Sequence, residues 1–201
     1  MKLRSPAAAR NVEPIGDVLA DWLPASGLIV EIASGSGEHA LDFAARFSKL
    51  QWQPSDPDPQ ARESIAEWRE AEGPANLLEP MAIDVCDPTW PVEAADAVLN
   101  INMVHISPWE ASIGLISGAA RVLEPDGVLI LYGPWLVDGV ETAPSNLAFD
   151  ADLKARNPCW GLRRVSNFAA AAASRGLFLT DQRAMPANNC MLLFRRTAGS
   201  S

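Results

Sequence analysis

Apolar positions along the chain switch repeatedly between two spacings. Val12, Ile15, Val18, Leu19 and Trp22 recur every three or four residues, which predicts a helix over Asn11–Trp22 with Asn11 as its cap. Pro14 would then sit in the first turn, where its missing N–H does no harm. Pro24 and Gly27 break the chain. Leu28–Ala33 is short and mostly apolar and reads as a strand, Gly35 and Gly37 make a turn, and Ala40, Phe43, Ala44 and Phe47 form one stripe of a helix over His39–Phe47. Leu50–Ser55 reads as a second strand. Asp58 followed by Pro59 is a favoured helix start, and that helix runs to Ala71 before Gly73-Pro74 stops it.

The later half continues the alternation. Leu78–Ile83 reads as a weaker third strand interrupted by Pro80. Ala97–Ile101 is nearly all apolar, as expected of a strand buried on both faces. A helix is predicted over Pro108–Leu123, a turn at Pro125-Asp126-Gly127 and a fifth strand over Val128–Tyr132. Gly133–Pro158 lacks periodicity, the mark of a lid or binding loop. Phe168–Arg175 reads as a helix ended by Gly176, and Leu177–Thr180 and Met191–Arg195 as strands that pair antiparallel, because no helix separates them. The small, polar tail Thr197–Ser201 is expected to fray. Strands separated by helices predict one α/β domain over residues 1–201, a parallel sheet with helices on both faces, and ligand chemistry beyond the carboxyl ends of the strands.

Composition narrows the partners. The 201 residues are 48% hydrophobic and 20% charged, which is globular. A net charge of −9 argues against nucleic acid phosphates and anionic membrane surfaces as partners. Cys86, Cys159 and Cys190 have no metal-site or disulfide spacing, so no metal is expected. The longest run without a charged residue, Ala97–Trp109, is too short to span a bilayer, and Arg10, Glu13 and Asp17 interrupt any apolar leader. The expectation is a cytoplasmic protein acting on a small molecule.

The motif richest in chemistry is Val30-Glu31-Ile32-Ala33-Ser34-Gly35-Ser36-Gly37-Glu38-His39, which follows a strand and opens a helix. Glycines there let the backbone approach a ligand, and the helix start offers free N–H groups. A dinucleotide pyrophosphate and S-adenosylmethionine both fit this logic. Glu31 and Glu38 add negative charge, unfavourable beside a pyrophosphate but suited to the cationic groups of S-adenosylmethionine. Asp56, ending the second strand, suits a ribose diol in either case, and Asp84, ending the third, suits an adenine amino group.

With the turn, Ala9-Arg10-Asn11-Val12-Glu13-Pro14-Ile15, Pro54-Ser55-Asp56-Pro57-Asp58, Asn102-Met103-Val104-His105-Ile106-Ser107-Pro108-Trp109, Leu131-Tyr132-Gly133-Pro134, Thr142-Ala143-Pro144-Ser145-Asn146, Asn157-Pro158, Trp160-Gly161 and Met185-Pro186-Ala187-Asn188-Asn189 carry a resemblance across almost the whole chain. The sequence resembles class I S-adenosylmethionine-dependent methyltransferases, and within them the methyltransferase-like 26 group, built on a domain of unknown function. The resemblance implies a Rossmann-like, seven-stranded, mostly parallel sheet with an antiparallel last strand. It implies that Glu31, Ala33, Ser34, Gly35 and Gly37 hold the methionine part of the cofactor, Asp56 and Pro57 the ribose, and Asp84 and Val85 the adenine. Arg10, Asn11, Asn100, Ile101 and Asn102 complete the cofactor set. Ala33 stands where the class carries its first glycine.

His105, after the fourth strand, is the candidate general base; the alternative is a histidine packed under Trp109 with one hydrogen bond. Tyr132, Asn146, Arg156 and Trp160 are candidate substrate contacts. Two other readings are a non-catalytic S-adenosylmethionine-binding protein and a nicotinamide-dependent oxidoreductase.

Overall fold

A computed structural model describes residues 1–197 of the chain; the tail expected to fray lies outside them from residue 198 on. Helices α1 (Pro6–Trp22), α2 (Glu38–Arg46), α3 (Pro59–Glu72), α4 (Trp109–Val122), α5 (Pro144–Arg156) and α6 (Val165–Ala173) alternate with strands β1 (Gly27–Ile32), β2 (Leu50–Ser55), β3 (Ala95–Ile101), β4 (Leu123–Gly133), β5 (Leu177–Met185) and β6 (Asn189–Arg196). The six strands form one sheet in the order β2-β1-β3-β4-β6-β5. β1 to β4 run parallel, and β6 lies antiparallel to both β4 and β5. The last two strands therefore pair as the missing helix between them requires.

The expected seventh strand does not form, and two prolines explain why. Trp52 makes the first parallel rung with the segment after α3: its N–H donates to the Asn76 carbonyl and its carbonyl accepts from Leu78 N–H, each at 2.8 Å. The next rung needs N–H groups from Pro54 and Pro80, which have none. The segment slips instead, so that Met81 donates to Pro54 at 3.0 Å and Asp56 donates to Met81 at 3.1 Å. The Gln53 side chain caps the stranded Glu79 carbonyl at 2.6 Å. Isolated bridges remain where a strand was predicted.

Two apolar layers sandwich the sheet. Ile15, Leu19 and Trp22 of α1 and Phe43 of α2 pack with Trp52, Leu99 and Ile130 on one face. Leu115 and Ile116 of α4 and Phe168 of α6 pack with Val30, Val98 and Phe194 on the other. Helix α1 starts earlier than the spacing predicts, because Ser5 caps it by accepting from Ala8 N–H at 3.3 Å. Asn11 is therefore not its cap, and Pro14 lies inside the helix. The predicted loop between Gly133 and Pro158 contains α5. It buries only Asn146 and Leu153, so it shows no apolar stripe.

Candidate functional site

The turn after β1 is built from left-handed residues. Ala33, Gly35 and Gly37 have φ of 56°, 57° and 88°. Glycine suits the last two; at Ala33 a side chain is held in a conformation L-residues avoid. Serines stitch the turn to β2: Ser34 N–H donates to the Ser55 carbonyl at 2.8 Å, and the Ser55 hydroxyl donates to the Glu31 carbonyl at 2.7 Å. Asp56 then locks turn and α3 together, accepting from Gly35 N–H at 3.0 Å and Asp58 N–H at 2.9 Å, one on each oxygen. A carboxylate has about four acceptor positions, so it keeps capacity for a ligand. Beside Gly35 there is open space, with nothing within 4 Å of where a methyl group would stand.

Glu31 lies beneath this turn, 2% exposed, with its carboxylate accepting from the Trp52 indole N–H at 2.6 Å. Burial pushes its pKa up to about 7, against the opposing hydrogen bonds from Trp52 and Ser34. Sequence spacing missed Trp52 as a partner; the signal was cross-strand register, since Ile29 pairs with Trp52 and Glu31 with Pro54.

Helix α1 closes one side of the mouth. The Asn11 side-chain carbonyl lies 2.7 Å from His39 Nε2. A carbonyl only accepts, so His39 donates from Nε2, in keeping with burial holding its pKa down to about 4. Asn11 and Arg10 also face Tyr132, where they oppose the upward push of burial on the phenol.

At the end of β3, the Asn100 amide donates to the Ile32 carbonyl at 3.0 Å, and its own oxygen is buried without a partner among the described residues. Asn102 is left-handed, with φ of 67°, and its N–H donates to the Tyr132 carbonyl at 2.9 Å. Ile101 is half-buried beside it. Asp84 is exposed and accepts from Cys86 N–H at 2.9 Å, while Val85 is buried against Gly114 of α4. Pro57 is exposed at the start of α3. The turn, Asp56, Asn100, Ile101, Asn102 and Tyr132 thus share the carboxyl edge of the parallel strands, with Asn11 beside Tyr132.

His105 is fully buried, and neither ring nitrogen has a hydrogen-bond partner among the described residues. It meets Trp135 edge-on at 4.8 Å, not Trp109, and packs so closely on Gly133 that a methyl group there would lie 2.5 Å from Nε2. Burial, reinforced by Arg163, holds its pKa down to about 3. Its backbone carbonyl accepts from Gly161 at 3.0 Å, which clamps the segment after α5 over it. His105 is thus packed, as the alternative reading has it, but against Trp135 rather than Trp109 and with no hydrogen bond to its ring among the described residues.

The candidate substrate contacts separate. Asn146 lines a cavity of about 300 Å³ together with Trp135, Glu141, Gln182, Met185 and Cys190. Tyr132 belongs to the opposite apolar layer, and Arg156 stacks over the Trp160 ring while pairing with Asp152 at 3.2 Å. Among the described residues no cluster of side chains has the makeup of a metal site, and no helix is long and apolar enough to cross a membrane.

This fold, with its turn after β1 and its reversed last strand, is the class I, Rossmann-like methyltransferase fold. An O-methyltransferase family protein from Burkholderia thailandensis superposes with a TM-score of 0.80 at 21% identity, over 96% of this chain and 58% of that one. Human N-acetylserotonin methyltransferase, solved in complex with SAM, superposes with a TM-score of 0.79 at 12% identity, over 96% of this chain and 53% of that one. This chain thus spans little more than half the length of either. A putative sarcosine dimethylglycine methyltransferase from Galdieria sulphuraria superposes with a TM-score of 0.74 at 14% identity, over 95% of this chain and 87% of that one. The chain belongs to the DUF938 family, described as a protein of unknown function, which it matches over residues 2–196.

Proposed function

We propose that this chain is an S-adenosylmethionine-dependent methyltransferase acting on a small molecule, and that within its family it is akin to the methyltransferase-like 26 group. The observation that carries the reading is the acidic turn: Glu31 below it, Asp56 bonded to Gly35 N–H, and open space beside Gly35. The structures it is likened to include one in complex with SAM. The residues fit that group. Burial leaves the Glu31 carboxyl about half-ionised at neutral pH, so a cationic methionine moiety would draw it to the charged form, and the unpartnered Asn100 oxygen would offer an acceptor. Ala33, Ser34, Gly35 and Gly37 would supply backbone contacts, Asp56 and Pro57 would hold the ribose, and Asp84 and Val85 the adenine. Arg10 would pair with the methionine carboxylate, with Asn11, Ile101 and Asn102 enclosing it. Once bound, the cofactor supplies a sulfonium methyl group for in-line transfer; the chain positions the acceptor and excludes water.

A second reading, cofactor binding without transfer, is favoured by the burial of His105, which leaves the candidate base without solvent contact. Calorimetric titration with S-adenosylmethionine, S-adenosylhomocysteine and NADH tests the first reading. Saturable binding of the first two alone supports it, and binding of none sinks it. Methyl transfer to any member of a broad acceptor panel removes the second reading.

A further inference from the structure

The cavity holding Asn146 lies beyond β4, on the sheet face opposite α1, between the start of α5 and the β5–β6 hairpin. Its walls include the rings and chains of Trp135, Val137 and Met185, with the amides of Asn146 and Gln182. Its volume of about 300 Å³ is the small end of the range for ligand sites. One formal charge borders it, the carboxylate of Glu141, which is solvent-exposed; no lysine, arginine or histidine lines it among the described residues. An anion entering here finds no counter-charge, and a cation finds one.

One layer of packed side chains separates the cavity from the strand-end site. Trp135, its inner wall, contacts His105 at 4.8 Å, and His105 packs on Gly133 beside Asn102. Trp135 itself is buried, and its indole N–H has no acceptor among the described residues.

We infer that this cavity takes the acceptor, and that the acceptor is a compact apolar molecule bearing a basic nitrogen, its ring against Trp135 and Met185 and its cationic group at Glu141. The acceptor role rests on the methyl-transfer reading; the binding chemistry does not. Glu141 reads charge, and the apolar walls read size.

The test uses the full chain and three probes that share a ring and differ in head group: 2-phenylethylamine, 2-phenylethanol and phenylacetate. Affinities are measured by ligand-observed NMR, with S-adenosylhomocysteine affinity measured in parallel by calorimetry. The amine is expected to bind at least tenfold more tightly than the alcohol, and the acid most weakly. Glu141→Lys, a change at an exposed position, should reverse the order of amine and acid. Ala184→Phe, at another lining position, should block all three while leaving S-adenosylhomocysteine affinity unchanged, which shows that the variant is folded. Equal binding of amine and acid, or no response to either variant, overturns the proposal even where S-adenosylhomocysteine binds. Amine preference without S-adenosylhomocysteine binding upholds the cavity's chemistry and overturns only the methyl-donor reading and the acceptor role built on it.

Discussion

In the part of the molecule built on β1 and β2, buried polar side chains are paired. Glu31 bonds Trp52, Ser34 and Ser55 bond the Glu31 carbonyl, His39 bonds Asn11, Asp56 bonds two backbone N–H groups, and Asn76 donates to Ala44 and Leu50. In the part from Trp90 onward, the Asn100 oxygen, both His105 nitrogens, the Ser112 hydroxyl and the indole nitrogens of Trp90 and Trp135 have no partner among the described residues. Each such group costs about 1–3 kcal/mol. The first region satisfies its buried polar groups from within the chain. The second leaves several buried groups without partners among the described residues, His105 and Trp135 among them.

The sharpest way to probe the paired region is Glu31→Gln. The pKa of Glu31 rises from 4.5 to about 7 in the folded chain, so folding favours its protonated form. That contribution is present in full below pH 4.5 and is lost as pH rises to 7, a difference of about 3 kcal/mol. The glutamine variant should match the wild type in urea unfolding at pH 4.5 and exceed it by that amount at pH 8; equal curves at both pH values would show that Glu31 is solvated.

Next in size, Asp56→Ala removes the acceptor of Gly35 and Asp58 N–H, and should weaken S-adenosylhomocysteine binding about thirtyfold, roughly 2 kcal/mol. Unchanged affinity in calorimetry would dissociate Asp56 from the cofactor.

One substitution made in both regions compares them directly. His39→Phe breaks the bond to Asn11 and should cost about 1–2 kcal/mol at pH 7, whereas His105→Phe removes two unpaired buried nitrogens and should leave stability unchanged or raised by about 1 kcal/mol, crowding by the larger ring offsetting the rest. Both histidines have depressed pKa values, near 4 for His39 and near 3 for His105, so wild-type stability is present above pH 6.5 and is lost as pH falls toward them. Each variant should be less acid-sensitive. A large loss of stability for His105→Phe at pH 7 would mean that its nitrogens are paired in solution. The smallest effect is expected from Ala33→Gly, a gain of under about 1 kcal/mol in thermal unfolding, as relief of a left-handed side chain is partly offset by added chain entropy.

Much of the paired region was legible in the sequence, because its determinants are local. Leu50–Ser55 forms the strand its pattern predicts, and Asp58 caps α3 by accepting from Gln60 N–H at 2.9 Å with Pro59 at the first position. The Glu31–Gly37 turn and Asp56 come together as the motif suggests. What was missed depends on partners distant in sequence. Pro80 marked a weak third strand, but its loss required Pro54 to stand opposite on the same rung. Helix α5 lacks an apolar stripe; its local signals were Pro144 in the first turn and the Asp150–Lys154 and Asp152–Arg156 pairs. His105 looked like a base by position, and only tertiary packing reveals its burial beneath Trp135. Glu141 and Gln182 stand far apart in the chain and line one cavity only because the β5–β6 hairpin returns beside β4.

The two prolines that erase the seventh strand also bear on how copies of the chain meet. A sheet margin with a regular row of free donors is a template for a strand from another molecule. Beyond β2, Pro54 and Pro80 and the slipped segment around Met81 break that row. At the opposite margin, β5 carries an irregularity between Leu179 and Asp181, with Asp181 and Arg183 charged along it. Both margins of the sheet are thereby blunted, and self-association by strand addition is disfavoured at either end.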